Sequence, residues 1–81
     1  MNIEEIIEKS KVLLAEEFEI EASEITDDAS LKDTLGLDSL DFVDVVVLVE
    51  KHFGVTLKGP DFVGVLTFKD FYELLNRKIN E

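Results

Sequence analysis

The stretch Leu35-Gly36-Leu37-Asp38-Ser39-Leu40-Asp41 is the most informative part of this chain. It places one serine between acidic residues, directly ahead of an apolar run. Asp38 is a favourable N-cap, so the stretch predicts a helix that begins here, runs to about Phe53 and ends at Gly54. The first turn of such a helix has unpaired backbone N–H groups and a partial positive charge. The hydroxyl of Ser39 would therefore be exposed at a position that suits a phosphate group.

The run Val45-Val46-Val47-Leu48-Val49 within this helix is ambiguous, because β-branched residues favour strands. The spacing of the larger side chains favours a helix, and no second strand candidate of comparable strength is present to pair with the run. The residues expected on the interior stripe of the helix are Phe42, Val45, Val49 and Phe53.

Two further main helices follow from hydrophobic periodicity. Apolar residues recur at helical spacing from about Ile3 to Glu17, with acidic and basic residues between them. Thr67 and Asp70 form a capping box, which predicts that a last helix begins here. The box is weakened because aspartate replaces the usual glutamate or glutamine. The apolar face of that last helix is expected to carry Phe68, Phe71, Tyr72, Leu75 and Ile79.

The remaining segments are predicted to be connections. From Glu19 to Leu37 the periodicity fades and small polar residues accumulate, which predicts a long loop. Pro60 can open a short helical turn through Val63. The residues expected to anchor the long loop in the core are Ile20, Ile25, Leu31 and Leu35. The expected fold is all-α: a small four-helix bundle of three main helices and one short helix, forming a single domain over residues 1–81.

Composition limits the classes of partner. The 81 residues include 19 acidic and 8 basic side chains, for a formal charge of −11. Nucleic acids and anionic membranes are polyanions and so are poor partners, whereas a protein with a basic docking patch is well suited. There is no cysteine, so any thiol chemistry needs an imported thiol. No signal peptide or membrane-spanning run is evident, and we expect a monomeric cytoplasmic protein.

Four segments of the chain resemble acyl carrier proteins: Thr26-Asp27-Asp28-Ala29-Ser30-Leu31, the Ser39 stretch, Val46 to Glu50, and Phe53-Gly54-Val55. The resemblance implies that a phosphopantetheinyl transferase attaches 4′-phosphopantetheine from coenzyme A to Ser39. The thiol of that arm would hold an acyl group as a thioester. The alternative is that Asp38 and Ser39 only cap a helix.

The resemblance also implies that the Ser39 helix is the surface that partner enzymes recognise. These partners would be acyl-loading, condensing and processing enzymes with basic patches. Acidic side chains on this helix can steer such partners. The alternative is that the acidic residues form a helix face that contacts only solvent. Leu40 is expected next to the cofactor, and Val43 and Val47 either contact partners or complete a buried face. The predicted docking residues are Asp38, Leu40, Asp41, Val43, Asp44, Val47 and Glu50.

Family members can shelter the acyl chain between their helices. The candidate lining residues are Phe42, Val45, Val49, Val65, Phe68 and Tyr72. The alternative is that these side chains are simply core.

The sequence differs from the fatty-acid carriers that it resembles, so the resemblance does not identify the biosynthetic pathway. Lys51 interrupts the acids of the second main helix, and the segment from Gly59 to Gly64 is largely uncharged. These features hint at a dedicated lipid or polyketide-type pathway. The alternatives are an amino-acyl carrier, either peptidyl or D-alanyl, and a cofactor-free acidic helical adaptor.

An enzyme is not expected. His52 is the sole histidine and precedes a helix end, where it can interact with terminal carbonyls. Ser39 lacks the Gly-x-Ser-x-Gly elbow of hydrolases, and no metal-binding motif is present. At most, Asp38, Asp41 and Asp44 could hold a magnesium or calcium ion loosely at the surface.

Overall fold

The computed structural model describes residues 2–37 and 42–81. Within these ranges the chain forms four α-helices and two 3₁₀ turns. The helices are α1 (Ile3–Glu17), α2 (Leu31–Leu35), α3 (Phe42–Phe53) and α4 (Phe68–Ile79), and the turns are Ala22–Glu24 and Gly59–Phe62. The predicted all-α bundle is confirmed. The predicted start of α3 at Asp38 lies outside the described residues.

Helix α1 has the predicted bounds. The side chain of Asn2 caps its first turn by accepting a hydrogen bond from the backbone N–H of Glu5 at 2.9 Å. Glu4 and Glu5 lie in this turn, where negative charge is favourable to the helix dipole. The apolar side of α1 packs against α4, which sets the frame of the bundle.

The C-terminal end of α1 is closed by a residue in the left-handed conformation. Glu19 has a φ of 54°, and the N–H of Ile20 donates to the carbonyl of Ala15 at 3.1 Å. This pattern is a Schellman-type helix end, in which glycine is the usual left-handed residue. A side chain with a Cβ is strained there.

Glu19→Gly is therefore expected to stabilise the protein by about 1 kcal/mol, because it relieves the strain of the left-handed residue. Urea unfolding at neutral pH measures the change. Glu19→Gln removes the charge and keeps the strain, so it should gain less. An equal gain in both variants would show that charge, and not backbone conformation, limits stability at this position.

The segment predicted to be a long loop contains helix α2, which was not predicted from the sequence. The hydroxyl of Ser30 caps α2 by accepting from the N–H of Asp33 at 3.2 Å. Gly36 ends it with a φ of 67°, and the N–H of Leu37 donates to the carbonyl of Lys32 at 2.9 Å. Five residues are too short for helical periodicity to show. Ser30 as a cap and Gly36 as a terminator were the features of the sequence from which α2 could have been predicted.

Backbone bonds join the α2 end of the loop to the start of α4. The N–H of Leu31 donates to the carbonyl of Leu66 at 3.0 Å, and that of Phe68 donates to Ala29 at 3.2 Å. A single antiparallel bridge thus pairs Ser30 with Thr67. These bonds satisfy backbone groups at a helix start that would otherwise lack partners.

The cap of α4 is a complete capping box, although aspartate replaces the usual longer acid. The hydroxyl of Thr67 accepts from the N–H of Asp70 at 3.2 Å. The carboxylate of Asp70 accepts from the N–H groups of Thr67 and Leu66, at 3.2 Å and 3.1 Å. These backbone hydrogen bonds lower the pKa of Asp70 from its usual 3.8, since they favour the charged form.

The lowered pKa predicts how stability depends on pH. Asp70 stabilises the fold above its unfolded pKa of 3.8, and this contribution is lost as pH falls through the lower folded value. Asp70→Asn should therefore be less stable than wild type at pH 7, with a difference that narrows in strong acid. Urea unfolding across this range measures it. Asp28→Asn, in an exposed turn, is the control, and an equal response in both variants would contradict the assignment.

The core lies between α1, α3 and α4 and extends under the loops. The loop anchors Ile25, Leu31 and Leu35 are buried as predicted, and Ile20 is half-buried. Leu37, Leu57 and Leu74 are buried as well, although they were not predicted. The other buried apolar residues are Ile6, Leu14, Val45, Val49, Phe68, Phe71, Tyr72 and Leu75.

Two further predictions, a short turn at Pro60 and a helical valine-rich run, are confirmed, with the bounds of the turn shifted by one residue. The turn predicted from Pro60 to Val63 is present as the 3₁₀ turn Gly59–Phe62, with Pro60 near its start. The valine-rich run is helical, and Phe42 and Phe53 are half-buried at the two ends of its interior stripe. No helix in the described part of the chain is long and apolar enough to span a bilayer.

Candidate functional site

The central residues of the predicted site, Asp38, Ser39, Leu40 and Asp41, lie outside the described residues. The residues on both sides of them are described. Leu37, with 4% of its surface exposed, belongs to the core and follows the left-handed Gly36. Leu37 is therefore a fixed point of the core two residues before Ser39 in sequence.

Phe42 is anchored on the other side of the segment. Its ring lies 5.1 Å from that of Phe62, measured between ring centroids and tilted by 57°. Such tilted aromatic pairs are favourable. The contact ties the first described turn of α3 to the second 3₁₀ turn. In sequence, Ser39 thus lies between two described residues, Leu37 and Phe42, that are fixed in the fold.

The outer side of α3 is exposed. Val43 and Val47 are 60% and 57% exposed, and Asp44 and Glu50 are exposed beside them. The two valines therefore do not complete a buried face, which was the alternative. Exposed apolar side chains set among carboxylates are typical of a partner-binding surface. The docking role of these residues remains a prediction.

The six candidate residues for an acyl pocket are packed in the core or against it. Val45, Val49, Phe68 and Tyr72 are buried, while Phe42 and Val65 are half-buried. A small apolar cavity lies between α1, α3 and α4 and shares Val49 with this set. Its lining residues are Ser10, Leu13, Leu14, Leu48, Val49, Phe53 and Phe71.

The cavity has a volume of about 10 Å³, which is close to the minimum for a single water molecule. An acyl chain would need the helices to separate. The six-residue pocket therefore remains a prediction that requires movement of the bundle.

Two buried hydroxyl groups lack a hydrogen-bond partner among residues 2–37 and 42–81. They belong to Ser10 and Tyr72. Burial raises the pKa of Tyr72 to about 12, and the charges of Asp27 and Glu8 add to the shift. Tyr72 is therefore neutral at physiological pH and serves the core rather than acid–base chemistry.

The end of α3 is capped from α1. The ammonium of Lys9 donates to the backbone carbonyl of His52 at 2.8 Å and lies 5.1 Å from the centroid of the Phe53 ring. A cation is favourable at this end of a helix. His52 was expected to interact with these carbonyls itself, but the observed contact is made by Lys9. The described residues contain no cluster of three or more His, Cys, Asp or Glu able to hold a metal ion.

Comparison with known proteins adds sequence evidence. The family described as "Phosphopantetheine attachment site" matches residues 11–75, a range that includes Ser39. An acyl carrier protein of Thermotoga maritima is 37% identical over 76 residues, covering 94% of each chain. One from Petrotoga mobilis is 34% identical and covers 99% of this chain and 94% of its own.

Two further similarities extend the comparison. The Streptomyces avermitilis protein named "Polyketide-8 synthase acyl carrier protein 2" is 31% identical, covering 91% of this chain and 85% of its own. The solved structure of an acyl carrier protein from Enterococcus faecalis superposes with a TM-score of 0.76 at 27% identity, covering 96% of this chain and 99% of that one. Because the family match spans most of the chain and the helical fold agrees, the chain belongs to the acyl carrier proteins, which are non-catalytic carriers of acyl groups on phosphopantetheine.

Proposed function

We propose that Ser39 carries 4′-phosphopantetheine, attached by a phosphopantetheinyl transferase through a phosphodiester bond. The observation that carries the proposal is the family match over residues 11–75, which contains the Asp38-Ser39-Leu40 motif. When bound, the arm supplies the thiol that holds an acyl group as a thioester. The chain itself has no cysteine to compete for that group.

The other serines support this assignment. Ser10 is 2% exposed, and the hydroxyl of Ser30 accepts a hydrogen bond from the first turn of α2. Ser23 lies in the first 3₁₀ turn, outside the motif. Ser39 is the serine that lies in the Asp38-Ser39-Leu40 motif, so Asp38 and Leu40 flank the proposed attachment point.

The outer side of α3 serves as the docking surface for partner enzymes with basic patches. Its described part combines the exposed Val43 and Val47 with the carboxylates of Asp44 and Glu50. Asp38, Leu40 and Asp41 precede it in sequence and complete the proposed set. The charge of −11 steers such partners over long range and disfavours self-association, which is consistent with a monomer.

The acyl groups belong to fatty-acid, lipid or polyketide-type biosynthesis. The relatives support this range, because one of them is named for a polyketide synthase. We place the protein in the cytoplasm as a single acyl carrier domain over residues 1–81. An amino-acyl cargo is disfavoured, because Leu37-Asp38-Ser39-Leu40 resembles neither peptidyl carriers, which commonly have two glycines close before the serine, nor D-alanyl carriers, which favour methionine after it.

Intact mass spectrometry tests the attachment. The protein is incubated with coenzyme A and a broad-specificity phosphopantetheinyl transferase, and the mass should rise by one phosphopantetheine. Peptide mapping should place the added group on Ser39. An unchanged mass with every competent transferase would leave only an acidic helical adaptor.

A further inference from the structure

Helix α3 is packed less closely than the other long helices. Helix α1 packs along α4, and among the elements of the described ranges none packs on α3 to the same extent. The apolar cavity lies between α3 and these two helices, and its lining on the α3 side consists of Leu48, Val49 and Phe53. Displacement of α3 is therefore the movement that would enlarge the apolar space inside the bundle.

Lys9 joins α1 to the C-terminal end of α3. Its ammonium donates to the backbone carbonyl of His52 at 2.8 Å and lies 5.1 Å from the centroid of the Phe53 ring. We call these two interactions the Lys9 contact. Phe53 also lines the cavity, so the contact holds one wall of the cavity in place. Among residues 2–37 and 42–81, the bond from Lys9 is the hydrogen bond that links these two helices.

The residue that follows Lys9 disfavours close packing at the same place. Ser10 is 2% exposed and lines the cavity, and its hydroxyl has no hydrogen-bond partner among the described residues. Burial of a polar group without a partner destabilises the packed state. The Lys9 contact therefore stabilises a part of the bundle that Ser10 destabilises.

Two opposing energies of similar size meet at the cavity. Loss of a hydrogen bond from a charged donor costs about as much as burial of two to four methylene groups contributes. The cavity lies toward the C-terminal end of α3, because Val49 is about 10 Å along the helix from Phe42 at the usual rise per residue. Phe42 follows Ser39 by three residues in sequence. An acyl chain tethered through Ser39 must therefore be long to reach the cavity, and its last methylene groups would offset the loss of the Lys9 contact.

We propose that Lys9 sets the minimum length of the acyl chain that the bundle shelters in this cavity. A chain whose end buries too few methylene groups leaves the Lys9 contact intact and stays outside. A longer chain displaces the Phe53 end of α3, breaks the contact and enters between α1 and α3. The proposal rests on the proposed function, because it needs an acyl group on Ser39, and it makes Lys9 a residue that selects cargo by length.

The test compares Lys9→Met with Lys11→Met. Both variants remove one lysine charge from α1 and keep an unbranched side chain, and both positions are half-buried. Lys11 has no hydrogen bond or ion pair in the described part of the chain, so it is the matched control. In the unloaded protein, amide hydrogen exchange in the last turn of α3 should be about tenfold faster for Lys9→Met alone.

Acyl loading then measures the length limit. A broad-specificity transferase loads each protein from coenzyme A thioesters with even-numbered chains from butyryl to dodecanoyl. The methyl NMR shifts of Leu13, Leu48 and Val49 report entry of the chain into the cavity. The shortest chain that moves these shifts should be about two carbons shorter in Lys9→Met than in wild type or Lys11→Met. Lys9→Arg keeps a cationic donor and should match wild type.

The same shortest chain in all of these proteins would overturn the proposal, because the reach of the tethered chain would then set the limit. Equal exchange rates in the two methionine variants, or no shift with any chain, would also overturn it. If Lys9→Met does not fold, Lys9→Gln and Lys11→Gln make the same comparison, with a smaller change in the same direction expected for Lys9→Gln. Failure to load the wild-type protein at all would instead refute the proposed function, and the selection by length would fall with it.

Discussion

Ser39→Ala is expected to abolish phosphopantetheine attachment completely while the protein stays folded. The substitution removes the hydroxyl oxygen through which the phosphodiester would form, and no rearrangement of nearby side chains can replace that oxygen. Intact mass after incubation with coenzyme A and transferase should equal that of the unmodified variant. The helical circular dichroism and the urea midpoint should remain close to those of wild type, since the buried core is unchanged.

Ser23→Ala is the matched control, because it removes another serine hydroxyl from a segment outside the motif. This variant should load as wild type does. A full gain of mass on Ser39→Ala, or a loss of loading on Ser23→Ala, would contradict the assignment. If Ser39→Ala also unfolds, the loss of loading would reflect structure, and peptide mapping of the loaded wild-type protein would then decide the site.

The sequence predicted the long elements well because their signals are repeated many times. The bounds of α1 and the end of α3 at Phe53 follow from apolar residues that recur over several turns, together with recognisable caps. The strand preference of the valine run was overridden by its spacing on one helical stripe. Helix α2 was missed because one turn presents too few positions to show a period.

The tertiary contacts could not be predicted in the same way. The hydrogen bond from Lys9 to the carbonyl of His52 joins residues 43 apart in sequence. Nothing in the sequence around either residue predicts that the two are in contact. A surface depression that Glu17 and Asp44 line could not be predicted for the same reason, because only the fold brings the end of α1 beside Asp44. Sequence motifs predicted the attachment residue and the acidic helix, whereas the fold shows which described side chains of α3 are exposed.

Phe68→Ala is expected to cause the largest loss of stability, about 3–5 kcal/mol. Phe68 is completely buried, and its ring centroid lies 6.5 Å from that of Tyr72. Its backbone N–H also donates to the carbonyl of Ala29, so α4 cannot easily shift to fill the space left by the ring. The variant therefore loses the transfer energy of the ring and also retains a cavity.

This loss is severe for a domain of 81 residues, whose total stability is expected to be about 4–12 kcal/mol from the usual range per residue. Urea unfolding followed by circular dichroism measures it, with Val63→Ala as the control because Val63 is 83% exposed. Phe68→Leu should recover much of the loss by refilling the cavity. A Phe68→Ala midpoint close to that of Val63→Ala would show that the helices can close around the missing ring. The same freedom would make room for an acyl chain in a bundle whose apolar cavity between α1, α3 and α4 is otherwise only about 10 Å³.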